Sequence, residues 1–330
     1  MDTTSIAISD VAVGPAIFLM GPTASGKSAL ALELATRFPL EIVNADAMQV
    51  YRGLDIGTAK PTLAERALVP HHLFDVVDPD QLFSVGDYRR VALEVIRNCR
   101  QRGRVPLFVG GSGLYLRVLE RGLAPIPSLP DHTLSERLSQ QGEVVGWPEM
   151  HRLLADIDPQ WAARVMPTDR QRIVRGLAVY QATGHSLSYW HHQQTEMSQP
   201  PRVQPLLRIK LEVNRDLLYQ RIEARFDQMI LDGLLAEVTQ LWQRHYSRQM
   251  SAMKAVGYRQ LLRHLDGECS LEEAVVEAKR QSRRYAKRQM TWLRHDDSSH
   301  PTVTVVPDDN LLVTTTGLMN DFLGYTLQVG

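Results

Sequence analysis

A glycine-rich turn directly after a short apolar run is the feature that most restricts what this chain can fold into. The run covers residues 16–20, the turn matches G-x-x-x-x-G-K-[ST] without a mismatch, and residues 27–37 then have the apolar spacing of a helix. In this context the pattern predicts a phosphate-binding loop, in which backbone N–H groups and a helix N-terminus bind anionic oxygens. The predicted diphosphate-binding residues are Gly21, Pro22, Thr23, Ala24, Ser25, Gly26, Lys27 and Ser28.

Two side chains of this loop have predicted roles of their own. Lys27 adds positive charge beside the phosphates, and Ser28 is the predicted protein ligand of Mg²⁺. The loop recognises a diphosphate or triphosphate, but it does not identify a reaction. The chain has no Asn-Lys-x-Asp sequence of the kind with which GTPases read guanine, and its third apolar run ends in Gly110-Gly111 instead of the Asp-Glu of many ATPases. We therefore expect Mg²⁺ to be held mainly by phosphate oxygens, Ser28 and water.

The order of apolar runs and helical segments predicts the fold. Strand-like runs at residues 41–46, 105–109 and 206–213 alternate with helical segments, which is typical of an α/β fold. We predict a P-loop NTPase-like parallel sheet flanked by helices, with an all-helical insertion domain at residues 121–200 that begins in a proline-rich linker. The predicted catalytic core comprises residues 16–120 and 201–300. A flexible N-terminus (1–15) and a C-terminal tail (301–330), with one possible strand at 303–306, complete the prediction.

Composition limits the location and the partners. Basic and acidic residues both number 37, so the net charge is zero and only local clusters of charge can point to a polyanionic partner. The 2 cysteines suit a reducing compartment. The first residues lack the basic start of a signal peptide, and no stretch reaches the roughly 20 apolar residues of a membrane span. We therefore expect a cytoplasmic protein with no membrane association.

A carboxylate follows the second predicted strand. Asp46 lies at the carboxyl end of that strand, the edge where open α/β sheets bind their ligands. Beside a phosphate cradle, a carboxylate suits a neutral nucleophile that must lose a proton. The alternative is an aspartate that only caps a helix or a turn.

Six stretches occur together in a characteristic order. They are GPTASGKS at 21–28, DAMQVY at 46–51, DIGTAKP at 55–61, GGSGLY at 110–115, VGYRQ at 256–260 and AKRQMTWLR at 286–294. Over about residues 16–295 the chain resembles the tRNA dimethylallyltransferase family, in its shorter bacterial form. Ala47 stands where many members have Ser, Ser112 replaces the commoner Thr, and Gly176 and Ala178 replace residues of the usual QRLLRALEV segment.

The resemblance implies a reaction and a catalytic set. A dimethylallyl group would pass from dimethylallyl diphosphate to the exocyclic N6 amine of the adenosine on the 3′ side of the anticodon (tRNA position 37), and pyrophosphate would be released. Asp46 would accept the amine proton, Ser112 would help to hold the reacting groups, and Lys27 would stabilise the leaving diphosphate. Either Arg215 or Arg221 would add a second clamp on the diphosphate, and residue type does not choose between them. Mg²⁺ is the expected cofactor, no nucleoside triphosphate is required, and the enzyme is expected to be a monomer.

The resemblance also implies contacts with the tRNA anticodon stem-loop. A predicted helix that begins after Ser270 carries seven basic residues and no acid from residue 279 to residue 294, which favours phosphate contact. The expected tRNA-binding residues are Asp46, Ala47, Met48, Gln49, Ser112, Gln171, Arg172, Ile173, Val174, Arg175, Lys254, Gly257, Tyr258, Arg259, Arg283, Arg284, Lys287 and Arg288. The main alternative is a P-loop small-molecule or nucleoside monophosphate kinase. A non-catalytic RNA-binding NTPase would explain the basic helix, but it would leave Asp46 without a role.

Overall fold

The computed structural model describes residues 12–127, 133–196 and 202–328, which form two compact units. The first unit contains the described chain up to Arg121 and again from residue 202, and the second contains the described residues of 122–200. No helix among the described residues is both long and apolar enough to cross a membrane.

One six-stranded sheet forms the centre of the first unit. Its strands lie in the order β3-β2-β4-β1-β5-β6 and every neighbouring pair is parallel. The pairing places Met20 opposite Gly110 and Asn44 opposite Val109, so three strands end at the same edge. The strands are β1 (Ala12–Met20), β2 (Leu40–Asn44), β3 (His71–His72), β4 (Val105–Gly110), β5 (Arg202–Leu211) and β6 (Thr302–Val305).

Helices cover both faces of this sheet because neighbouring residues of a strand point to opposite sides. Ile17 and Leu19 of β1 pack in one apolar cluster with α1 and α14, whereas Phe18 and Met20 pack in another with α3 and α4. The predicted parallel sheet flanked by helices is confirmed. The helices of this unit are α1 (Lys27–Arg37), α2 (Leu63–Leu68), α3 (Val85–Gln101), α4 (Gly113–Arg121), α10 (Arg215–Leu231), α11 (Leu234–Gln243), α12 (Tyr258–Leu265), α13 (Leu271–Arg294) and α14 (Leu311–Gln328).

The two ends of the described chain differ from the expectation. Residues 12–15 belong to β1, and the predicted flexible N-terminus otherwise lies outside the described residues. The segment from residue 301 is not a separate tail, since β6 extends the sheet beside β5. Helix α14 buries Met319 and Leu323 in the same cluster as β1, so burial of its apolar face holds this segment on the core.

Five helices form the second unit, and their apolar side chains meet in a separate cluster that includes Met150, Leu154 and Ile173. Gly176 lies against this cluster: a Cβ atom there would stand 2.6 Å from Leu154 Cδ1 and 3.0 Å from Trp161 Cδ1. The glycine that departs from the family pattern therefore makes room for Leu154 and Trp161. The helices are α5 (Thr133–Val145), α6 (Trp147–Ile157), α7 (Pro159–Ala162), α8 (Arg170–Thr183) and α9 (Leu187–Glu196).

A buried carboxylate lies on β2 on the side away from the phosphate-binding loop. Glu41 accepts hydrogen bonds from Arg102 Nη2 at 2.7 Å, from Cys99 Sγ at 3.3 Å, and pairs with His72 Nε2 at 2.7 Å. These donors, against the cost of burial, lower the pKa of Glu41 to about 2, while burial and the Glu41 charge raise the pKa of the Cys99 thiol to about 12. Glu41 is thus already paired with Arg102, and the Cys99 thiol keeps its proton. The cluster is therefore a structural ion pair that connects β2 with the end of α3 and with β3.

Candidate active site

The phosphate-binding loop joins β1 to α1 at the carboxyl edge of the sheet. Ala24 and Gly26 have φ angles of 63° and 93°, so the chain turns through the left-handed region twice within this loop. Lys27 Nζ donates to Pro22 O at 2.7 Å and to Ser25 Oγ at 3.4 Å, which holds the ammonium group over the loop. The loop thus has the strand, turn and helix arrangement that binds phosphate oxygens.

Burial changes the acidity of Lys27. Desolvation lowers its pKa to about 8, with the charge of Asp46 opposing the shift and that of Arg225 adding to it. The charge of the protonated amine favours diphosphate binding. Because the pKa of Lys27 in the ligand-free protein is about 8, the affinity of the protein for a diphosphate is expected to fall as the pH rises above about 8, by up to about tenfold per pH unit. Calorimetry with inorganic pyrophosphate from pH 7 to pH 10 measures this dependence.

The matched control for this prediction is Lys27→Arg. Arginine stays charged throughout this pH range, so the variant reports only the titration of pyrophosphate itself. Equal pH dependence in the two proteins would show that Lys27 does not contribute its charge to binding.

A cavity of about 520 Å³ lies over the phosphate-binding loop. Residues from Thr23 to Ser28 line it, and so does Asp46, two residues after the end of β2. Its lining also includes the apolar side chains of Leu32 and Phe74. We call this space the phosphate cavity.

A second cavity, of about 470 Å³, adjoins the first. Its walls include Met48, Phe226 and Met229, and its polar lining includes Lys254, Tyr285 and Arg288. We call it the base cavity. The two cavities share a small group of lining residues, which are Thr23, Ala24, Asp46, Thr58 and Arg225.

Asp46 therefore lies at the junction of the two cavities. Its Oδ1 accepts a hydrogen bond from Met48 N at 2.8 Å, and its own N–H donates to Asn44 Oδ1 at 2.7 Å. These bonds fix the turn after β2 and leave the second carboxylate oxygen free of any hydrogen bond within the described chain. The alternative of a turn aspartate is partly correct, because Asp46 both closes a turn and faces the cavities.

Two side chains beside Asp46 hold the backbone around it. Ser112 Oγ accepts from Ala47 N at 3.1 Å, so the serine braces the turn that carries Asp46. Gln49 Nε2 donates to Thr58 O at 2.9 Å and so ties this turn to the loop at residues 54–60. Met48 lines the base cavity, whereas Gln49 lines the phosphate cavity.

The arginine that joins the cavities was missed by the sequence analysis. Arg225 lies on α10 one turn after Arg221 and lines both cavities, and burial lowers its pKa. Within the described residues it forms no ion pair. Arg221 lines the phosphate cavity only, while Arg215 is exposed, lines neither of these two cavities and pairs with Asp216 at 3.6 Å, so the structure favours Arg221 over Arg215 as the predicted clamp. The helical spacing of residues 221 and 225 is the signal that could have identified Arg225.

Close backbone contact explains the glycines of the motif at 110–115. A Cβ atom at Gly110 would stand 2.1 Å from Ala45 O, and one at Gly111 would stand 2.1 Å from Gln289 Nε2. Gln289 is itself buried: its Oε1 accepts from Thr23 N at 2.8 Å and its Nε2 donates to Gly111 O at 3.3 Å. The glutamine of α13 thus joins the phosphate-binding loop to the turn after β4.

The predicted basic helix is α13, and Ser270 and Glu273 form a capping box at its start. Acids from α10 and from α13 itself neutralise part of the helix: Lys279 pairs with Asp227, Arg280 with Glu277, and Arg283 with Glu223. Four exposed cations remain that form no ion pair with any described residue, namely Arg284, Lys287, Arg288 and Arg294. Arg288 also lines the base cavity, so this face of α13 reaches its rim.

Several other expected tRNA contacts lie elsewhere. Gly257 and Tyr258 are buried in the first unit, and Ile173 and Val174 are buried in the core of the second, which contradicts a direct contact with tRNA. Lys254 lines the base cavity and Arg259 is exposed. In the second unit Gln171, Arg172 and Arg175 are exposed, and Arg172 pairs with Asp169 at 3.4 Å.

Fold and site together define a P-loop protein of the α/β class, with a phosphate-binding loop beside a carboxylate at the edge of a parallel sheet. Comparison with known families matches residues 49–296 to the family described as IPP transferase and residues 15–69 to that described as isopentenyl transferase. The chain belongs to the IPP transferase family.

Individual relatives agree with this family. A tRNA dimethylallyltransferase of Magnetococcus marinus is 52% identical over 83% of this chain and 90% of its own, and one of Syntrophobacter fumaroxidans is 49% identical over 86% and 81%. The crystal structure of the tRNA isopentenylpyrophosphate transferase of Bacillus halodurans has a TM-score of 0.69 at 34% identity, covering 96% of this chain and 98% of its own. A eukaryotic dimethylallyltransferase acting on tRNA has a TM-score of 0.77 at 26% identity, covering 94% and 80%.

Proposed function

We propose that the protein transfers a dimethylallyl group from dimethylallyl diphosphate to N6 of the adenosine on the 3′ side of a tRNA anticodon. The observation that carries this proposal is the position of Asp46 at the junction of two cavities, one floored by a phosphate-binding loop and the other partly apolar. A prenyl diphosphate and a nucleobase can then approach one carboxylate from opposite sides.

The phosphate cavity takes the diphosphate. The N–H groups of the loop and Lys27 bind the phosphoryl oxygens, and Arg225 lies close enough to the junction to meet charge that develops on the leaving oxygen. Ser28, the second residue of α1, is exposed and lines this cavity, so its hydroxyl fits a Mg²⁺ ion whose other ligands are phosphate and water. That ion would neutralise the diphosphate as it leaves.

The base cavity takes the adenine. Met48 and Phe226 offer apolar surface to a base that has left the stack of the anticodon loop, and Lys254 and Arg288 stand near the phosphates that flank it. In the reaction the N6–C1 bond forms, the bond from C1 to the diphosphate oxygen breaks, and the amine proton passes to Asp46. Alignment of the amine, the carbon and the leaving oxygen can contribute up to about 7–11 kcal/mol.

The test of this function is a stoichiometry. Unmodified tRNA and radiolabelled dimethylallyl diphosphate are mixed with the protein, with and without ATP, and prenylated adenosine, pyrophosphate and inorganic phosphate are counted. We expect one pyrophosphate per modified adenosine and no requirement for ATP. A dependence on ATP, or ADP that accumulates with product, would support the kinase alternative, which the comparisons do not favour. The cytoplasmic location and the monomeric state stay predictions.

Removal of the unpaired cations on α13 is expected to weaken tRNA binding. Each lost contact between a cation and a phosphate reduces the steepness of the plot of log affinity against log salt concentration by about 0.7–0.9. The double variant Arg284→Gln, Lys287→Gln should therefore show a flatter plot for tRNA. Its affinity for prenyl diphosphate should not change. Filter binding of tRNA at several salt concentrations measures the slope.

Two cations on the same helix supply the control. Lys279 and Arg280 already pair with Asp227 and Glu277, so replacing both with glutamine should change the slope less. Equal slopes in the first double variant and the wild type would show that this face of α13 does not touch the phosphates.

A further inference from the structure

The loop at residues 54–60, which we call the wall loop, separates the two cavities near their junction. Gly57 and Thr58 line the base cavity, and Thr58, Ala59 and Lys60 line the phosphate cavity. The loop belongs to no helix or strand, so its N–H groups need partners outside regular secondary structure. What holds this loop therefore holds one side of the candidate active site.

A single distant carboxylate satisfies three consecutive N–H groups of the wall loop. Glu237, in the first turn of α11, accepts from Asp55 N at 3.0 Å and Ile56 N at 2.8 Å through Oε2, and from Gly57 N at 3.2 Å through Oε1. Successive N–H groups that converge in this way form a binding site for an anion. Here the anion is a side chain of the protein itself.

A fourth donor completes the arrangement. The hydroxyl of Tyr258 donates to Glu237 Oε1 at 2.5 Å, and the tyrosine is fully buried. Its ring packs on Gly57, where a Cβ atom would stand 2.5 Å from ring atom Cε2. The motif at 55–61 and the motif at 256–260 thus meet at Glu237, which neither motif contains.

The far end of the wall loop is anchored independently of Glu237. Lys60 Nζ is buried and bonds to Tyr51 O, to Asp55 Oδ1 and to Asp75 Oδ1 at 2.6–2.7 Å. Gln49, three residues after Asp46, donates to the loop through Thr58 O. Displacement of the first half of the loop would therefore move Thr58 and reach the turn of Asp46 through Gln49.

We propose that Glu237 is a positioning residue, which holds the wall loop so that adenine in the base cavity is aligned with Asp46. The inference rests on the proposed function. It does not involve the donors of the phosphate-binding loop, which Gln289 and the start of α1 support separately. Loss of Glu237 should thus affect the chemical step and leave the binding of diphosphate unchanged.

The principal test is Glu237→Gln, which keeps the size of the side chain but cannot offer two acceptor oxygens to four donors. Because a misplacement of about 1 Å can cost up to about 10²-fold, we expect kcat at saturating tRNA to fall by roughly 10- to 100-fold. Affinity for inorganic pyrophosphate should stay within about twofold of wild type. Glu272→Gln is the control, since Glu272 is exposed in the first turn of α13 and lines neither cavity.

A purely structural role predicts a different result. In that case Glu237→Gln would lower the midpoint of thermal unfolding but leave kcat equal to that of the wild type, once kcat is normalised to the concentration of protein that binds pyrophosphate. This outcome would overturn the proposal. If Glu237→Gln does not fold, Gly57→Ala tests the same contact from the loop side, because the new methyl group meets the Tyr258 ring. The same pattern of lower kcat and unchanged pyrophosphate affinity is expected for it.

Amide hydrogen exchange tests the contact without any reaction. In the wild type the N–H groups of Asp55, Ile56 and Gly57 should be protected, and in Glu237→Gln they should exchange faster, with the core strands unaffected. Unprotected amides in the wild type would overturn the proposal even if prenyl transfer occurs. A wild type that shows protection but no prenyl transfer would instead refute the proposed function.

Discussion

Asp46→Asn is expected to lower the rate constant of prenyl transfer by about 10²–10⁴, because a positioned general base typically contributes this much. The asparagine can still accept the hydrogen bond from Met48 N, so the turn after β2 should persist. Its amide cannot take up the proton of the adenine amine. Single-turnover transfer to tRNA, with enzyme in excess over tRNA, measures the chemical step directly, and tRNA affinity measured in parallel should stay near that of the wild type.

Two further variants serve as comparisons for Asp46→Asn. Asp46→Ala removes both the base and the turn contact, so it should be at least as slow as Asp46→Asn and less stable. Asp78→Asn removes a half-exposed aspartate that pairs with Arg52 and lines neither cavity, and it should transfer the prenyl group at the wild-type rate. A rate for Asp46→Asn within about threefold of wild type would exclude Asp46 as the base, because the expected loss is at least about 10²-fold.

The second large effect is expected for Arg225→Gln. Arg225 lines both cavities and forms no ion pair with any described residue, so its charge is available to the diphosphate as it leaves. Loss of one group that stabilises a developing anion typically costs about 10²–10³ in kcat. Because this charge matters most once the C–O bond breaks, kcat should fall more than the affinity for prenyl diphosphate.

The same helix provides graded controls for Arg225. Arg221→Gln removes an exposed arginine of the phosphate cavity and should weaken diphosphate binding moderately. Arg215→Gln removes an arginine that lines neither cavity and should leave both kcat and KM unchanged. If Arg215→Gln lost as much activity as Arg225→Gln, this would contradict the assignment of Arg225, and not Arg215, as the arginine that stabilises the leaving diphosphate.

The parts of the site that follow one another along the chain were predictable from the sequence. A strand, a glycine-rich turn and a helix carry their own local geometry, so residues 21–28 and the position of Asp46 after β2 could be placed without a structure. The parallel sheet followed from the alternation of strands and helices. The resemblance to a family added the reaction, because the phosphate-binding loop by itself is shared by many chemistries.

The errors in the sequence analysis concern contacts between distant segments. Residue type and spacing did not separate Arg215, Arg221 and Arg225, since all three lie on α10 and only the packing of that helix decides which of them faces the cavities. Burial of Tyr258, Ile173 and Val174 likewise depends on neighbouring helices. Part of the charge of the basic helix is neutralised by acids of α10, more than 50 residues earlier in the chain.

By itself the sequence determined the phosphate-binding loop, the class of fold and the carboxylate at the edge of the sheet, because each depends on neighbouring residues and on the regular periods of strands and helices. Only the tertiary structure decided that two cavities meet at Asp46, that Arg225 joins them and that Glu237 holds the wall loop. The Glu237 contacts, for example, join one side chain to backbone N–H groups about 180 residues earlier in the sequence. Such contacts are set by the packing of α10 and α11 with α12 and α13, and the sequence marks them at most by the helical spacing of Arg221 and Arg225.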